Sequence, residues 1–110
     1  MKSAYDQIHV KSVKAWALLF NGEMAGRIVA NYSDNPNGSV CTATVGFWNG
    51  PLKDTNASTG RAGGYGYDKF SAAVSSALNK IGVKNDVDGR GDSSVKSLLE
   101  KIGYSVIEVI

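Results

Sequence analysis

Apolar residues gather in blocks along this chain, separated by polar and glycine-rich stretches. From Val13 the pattern changes, and Lys14 to Phe20 is dense in apolar side chains. It breaks at Asn21-Gly22 and resumes from Met24 to Tyr32. Asn-Gly between two such runs predicts a tight hairpin, because both residues tolerate the positive φ of a type I′ turn. An uninterrupted ladder from that turn sets Phe20 opposite Glu23, Leu18 opposite Ala25 and Trp16 opposite Arg27. One face then carries Ala15, Ala17, Leu19, Met24, Gly26 and Ile28, with the small residues of a surface closely covered by helices. The other carries Trp16, Leu18, Phe20, Ala25, Arg27 and Val29.

A second turn, Asp34-Asn35-Pro36-Asn37-Gly38, leads into Ser39–Trp48. Here Cys41, Ala43, Val45 and Phe47 alternate with Thr42, Thr44 and Trp48, the pattern of a strand with one buried face. Residues 49–67, rich in Gly, Asn, Ser and Thr, read as a long connection; a short strand could lie in it, but no period shows one. Asp68 is a suitable N-cap for a helix whose stripe is Phe70, Ala73, Val74, Ala77, Leu78 and Ile81, ended by Gly82. Asp92 can cap a second helix with Val95, Leu98, Leu99 and Ile102 on one side and Gly103 at its end. Tyr104–Ile110 is β-branched and predicts a last strand. Residues 1–12 read as an arm or short helix. The expected order is β-β-β-α-α-β: an α+β domain spanning 1–110, with both helices on one face of a four-stranded, mainly antiparallel sheet.

Composition narrows the classes of function. With 110 residues, 43% hydrophobic and 20% charged, the chain has the make-up of an ordinary globular domain. A net charge of +2 is too small for the dense basic stripe that duplex DNA requires. The single cysteine, Cys41, permits no internal disulfide and no multi-cysteine metal centre. No apolar run reaches the ~20 residues of a membrane helix. Residues 1–6 lack the apolar core of a signal peptide, so the expected location is cytoplasmic.

The candidate chemistry lies first in Gly60-Arg61-Ala62-Gly63-Gly64-Tyr65-Gly66-Tyr67-Asp68-Lys69, directly before the first helix. Free N–H groups at a helix start can receive an anion. The run is not a P-loop, since no Gly-Lys pair is present. Nor is it a dinucleotide fingerprint, because the third glycine position holds Lys69. The segment Arg61–Gly66 fits R-x-x-G-x-G and resembles the pyrophosphate-binding loop of GNAT acetyltransferases; that resemblance covers these residues alone and implies acetyl-CoA binding. An Asp68 cap would occupy N–H groups an anion needs, which favours a contact surface formed by Arg61, Tyr65, Tyr67 and Lys69.

Trp16 and Arg27, neighbours in the expected register, form a second patch with Trp48, suited to a protein or to single-stranded nucleic acid. Asn85–Asp92 lacks the first and last ligands of a calcium loop, with Lys84 and Val95 in their places. His9 is the only histidine, and Cys41 falls on the expected core face, so nucleophilic catalysis has little to draw on. The sequence thus predicts a non-enzymatic binding module without a cofactor. It would regulate or inhibit a larger machine, as small phage or mobile-element accessory proteins do. A protein partner is the first expectation, ahead of nucleic acid or a second copy of the chain.

Overall fold

In a computed structural model, which describes residues 10–35, 38–62, 69–83 and 95–109, the first hairpin closes at Asn21-Gly22 as the sequence predicts. The two turn residues have φ of 53° and 81°, and Phe20 faces Glu23. The elements are β1 (Val10–Phe20), β2 (Glu23–Asn35), β3 (Gly38–Phe47), β4 (Thr55–Ala62), α1 (Lys69–Lys80), α2 (Val95–Glu100) and β5 (Ser105–Glu108). The fold is α+β. Five antiparallel strands lie in the order β4-β3-β2-β1-β5, with two short helices.

The hairpin register departs from expectation after two pairs. Leu19 pairs with Met24, but Leu18 pairs with Gly26, leaving Ala25 as the extra residue of a β-bulge. Every later partner in β2 moves by one: Trp16 faces Ile28, and Arg27 faces Ala17. Because side chains alternate with period two, that step exchanges the faces of β2. Ile28 and Ala30 therefore join Trp16 and Leu18 in the interior, and Arg27 and Val29 join Ala15 and Ala17 on the other side. The expected Trp16–Arg27 neighbour pair does not form. Burial explains the choice: the unbulged ladder would bury an arginine and expose an isoleucine. The Ala25 carbonyl accepts the backbone N–H groups of Trp48 (2.8 Å) and Asn49 (3.2 Å), tying the bulge to the end of β3.

The interior face consists of Trp16, Leu18, Ile28, Ala30, Cys41, Ala43, Val45, Phe47 and Val106, with Phe20, Tyr32 and Ala57 at its margin. α1 lies across β2, β3 and β4 on this face. Its expected stripe is the buried one: Phe70, Ala73, Val74, Ala77 and Leu78, with Ile81 half-buried. Large side chains such as Leu78 contribute about 1.5–3 kcal/mol each by leaving water. The helices thus cover the face with the large aromatic and aliphatic residues, while the small-residue side of β1 is the open one.

Both helices end in the same way. Gly82 (φ 93°) and Gly103 (φ 112°) turn the chain left-handed. Val83 N–H then reaches the Leu78 carbonyl and Tyr104 N–H the Leu99 carbonyl, each at 3.1 Å or less. This is the Schellman arrangement, with the following residue, Val83 or Tyr104, buried. The two caps are legible as the Gly-Val and Gly-Tyr pairs that close the apolar stripes.

β4 corrects the reading of 49–67 as an unstructured connection. It pairs with β3 from Phe47↔Thr55 to Val40↔Ala62. In this edge strand of sequence TNASTGRA the half-buried side chains described are the small Thr55, Ala57 and Thr59, so no apolar period marks it. Lys80, in the last turn of α1, donates to the Ser58 carbonyl at 3.0 Å, placing a cation on this edge. At the other edge, Val109 N–H extends the β5 pairing to the Ala15 carbonyl at 2.8 Å. The expected N-terminal arm contributes Val10, Lys11 and Ser12 to β1. The capping positions Asp68 and Asp92 lie outside the described residues.

Candidate interaction face

The open side of the sheet is fixed by register. One row across it reads Asn56–Gly46–Arg27–Ala17–Ile107, and the next reads Ser58–Thr44–Val29–Ala15 with Val109 beside it. Beyond these come Gly60–Thr42–Asn31–Val13 on one side and Met24–Leu19–Ser105 on the other. The face has two halves. Over β3 and β4 it is a lawn of Thr, Ser and Asn, with Thr44 and Ser58 hydroxyls 3.1 Å apart. Over β1 and β5 it is aliphatic.

Among the described residues, the exposed large apolar ones all belong to this face. Val13, Met24, Val40, Trp48, Ile107 and Val109 are each between 42% and 62% accessible, and by register or strand parity every one is on the side the helices leave bare. Leu19, Ala15, Ala17 and Val29 lie half-buried among them. Scattered apolar residues are ordinary on protein surfaces, but a set confined to one side of one sheet forms a patch.

Trp48 is placed with care at the corner. Its indole N–H donates to the Met24 carbonyl at 3.0 Å, and its own backbone is tied to Ala25. The turn that follows is pinned from the interior by Tyr104. That hydroxyl accepts the Leu52 N–H and donates to the Asn49 carbonyl, both at 2.8 Å. The ring packs on Phe47 and Phe20, with centroids 5.2 and 5.8 Å away. Gly50 (φ 79°) passes so close that a Cβ there would lie 2.9 Å from the Tyr104 ring.

The residues singled out from sequence separate. Trp16 is 6% accessible and belongs to the core, so it cannot share a surface with Arg27. Arg27 and Trp48 are both exposed on the open face. Arg61 occupies the β4 position opposite Cys41, and Lys69 begins α1. Tyr65 and Tyr67 lie outside the described residues. The glycine run does gain a context the sequence did not give it: β4 ends at Ala62 and α1 starts at Lys69, so the run joins a strand to a helix.

Ile107, Val109, Val29, Leu19 and Met24 were missed as surface residues. Their signal, apolar residues on both faces of the strands, reads equally as a sheet covered twice. Cys41 is buried, and no group of three or more potential metal-ligating side chains occurs among the described residues. Nor, among them, is any helix long and apolar enough to cross a membrane. No protein-family model matches the chain, and neither the curated proteins nor the solved structures contain a match.

Proposed function

We propose that this protein is a small, non-catalytic binding module whose working surface is the open face of its sheet, and that it regulates or inhibits a larger protein assembly. The observation that supports this is that, among the described residues, the exposed large apolar side chains are confined to that one face. An antiparallel sheet with one solvated side normally sets polar residues there. Here half of the solvated side is aliphatic, as at the centre of a protein interface. Arg27 and Trp48, both side-chain types enriched at interface hot spots, stand within it.

Affinity capture from cells of its source, comparing the native chain with Ile107→Asp, tests the reading. The native chain should retain a protein that the variant loses. An identical set of retained proteins from both would refute it.

A second reading draws on the strand–glycine-run–helix order at β4 and α1, which suits an anion held by backbone N–H groups and matches the GNAT-like resemblance of Arg61–Gly66. Calorimetry with acetyl-CoA decides it. Heat of binding abolished by Gly64→Val would support it, and no heat with the native chain would eliminate it.

A further inference from the structure

The proposal that the open face is a binding surface leaves its partner undefined, and the charges on that face narrow the choice. Arg27 sits in the row Asn56–Gly46–Arg27–Ala17–Ile107. Its cross-strand neighbours are a glycine and an alanine, neither tall enough to cover a guanidinium. Arg27 is exposed and has no acidic partner among the described residues. The register places no Asp or Glu at any open-face position of the strands. The acids whose side chains the structure describes are elsewhere. Glu23 is at the hairpin turn, Asp54 in the β3–β4 turn, and Glu100 on α2. Glu108 pairs with Lys14 across 3.4 Å on the helix-covered side.

We infer that the partner is a protein that sets a carboxylate, ringed by apolar side chains, against Arg27. Any molecule seated on Val29, Leu19, Ile107 and Val109 must also strip water from the guanidinium between them. A buried arginine left unpaired is strongly unfavourable, so a stable complex needs an acceptor. A carboxylate suits the planar fork in a two-bond arrangement, and the aliphatic surround excludes competing water. A second copy of this chain does not meet the requirement. Packing two open faces together would bury two guanidiniums and bring no carboxylate. Nucleic acid is also a poor match, because among the described side chains the face offers Arg27 as its cation and Trp48 as its exposed aromatic, against the basic, aromatic groove such ligands need.

A random linear peptide library, selected on the full chain and counter-selected on Ile107→Asp, tests this. Val109→Asp serves as a second face variant, and melting curves verify that both fold. Support would be peptides that need the face, are enriched in Asp or Glu between apolar residues, and lose about tenfold or more in affinity against Arg27→Gln. Arg27→Glu should instead select Lys- or Arg-bearing peptides.

Face-dependent peptides without acid enrichment, or indifferent to Arg27→Gln, would overturn the carboxylate while leaving the binding face standing. Recovery of no face-dependent peptide would overturn both. A concentration-dependent dimer in sedimentation that Ile107→Asp dissociates would overturn it in favour of self-association. Face-dependent binding of an oligothymidine or of phosphatidylserine vesicles would do so in favour of those ligands.

Discussion

Gly26 and Gly46 are neighbours across β2 and β3 with opposite tolerances. A Cβ on Gly26 would meet the Gly46 carbonyl oxygen at 2.5 Å, with Leu18 and Phe47 close behind, whereas a Cβ on Gly46 meets nothing within 4 Å. The clash at Gly26 is with backbone, which yields little, so Gly26→Ala should cost about 1–3 kcal/mol, as overpacking does. Gly46→Ala should change stability by less than about 0.5 kcal/mol. Urea denaturation of the two variants checks the pair. Tyr104→Phe removes a hydroxyl that satisfies both Leu52 N–H and Asn49 C=O. We expect a loss of about 1–3 kcal/mol. Because that turn carries Trp48, a changed tryptophan emission should accompany it. None of these roles was legible in the sequence: a glycine in a strand and a tyrosine after a helix cap do not announce which backbone they touch.

Strong local codes made most of the elements readable. Asn21-Gly22, the Cys41–Phe47 alternation and the Phe70–Leu78 stripe each point to one structure. Leu78→Ala, fully buried in the last turn of α1, should cost about 2–5 kcal/mol in chemical denaturation. The hidden element, β4, takes its order from the strand beside it: its own side chains bury little, and its ladder with β3 defines it. Such an edge needs protection, and Lys80 supplies some by holding the Ser58 carbonyl. Lys80→Ala should alter stability by no more than about 1.5 kcal/mol. It should, however, raise concentration-dependent light scattering; unchanged scattering would show that the lysine does not guard the edge.

At the scale of the molecule, the described residues form one sheet with both described helices on the same side. The sequence displayed both apolar faces of β1 and β2 but could not say which one the helices would take. The side with Trp16, Leu18 and Ile28 joined the α1 stripe of Ala73, Val74 and Ala77 in one buried core, because large apolar side chains remove more surface from water. The candidate site was legible only in Arg27 and Trp48. Trp16 was drawn into it by the unbulged register, and the aliphatic residues around Arg27 were invisible as a patch until β5 was set beside β1. Ile107→Asp, on an exposed position, should leave the unfolding free energy within about 0.5 kcal/mol. It should also lower binding of a hydrophobic dye. Persisting dye binding would place the apolar patch elsewhere.

The bulge at Ala25 means that the hairpin's pairing is chosen by the rest of the protein and against its own local preference. Detached from α1 and β3, a peptide spanning residues 13–31 has no interior into which Ile28 could be drawn. The closest continuation of its Asn-Gly turn is then the unbroken ladder, with every hydrogen bond kept and Trp16 stacked against Arg27. Nuclear Overhauser contacts in that peptide should therefore link Trp16 to Arg27, and those in the whole chain Trp16 to Ile28. The same residues would hold opposite partners in fragment and protein, so the fragment would display on one surface what the folded chain divides between its inside and its outside.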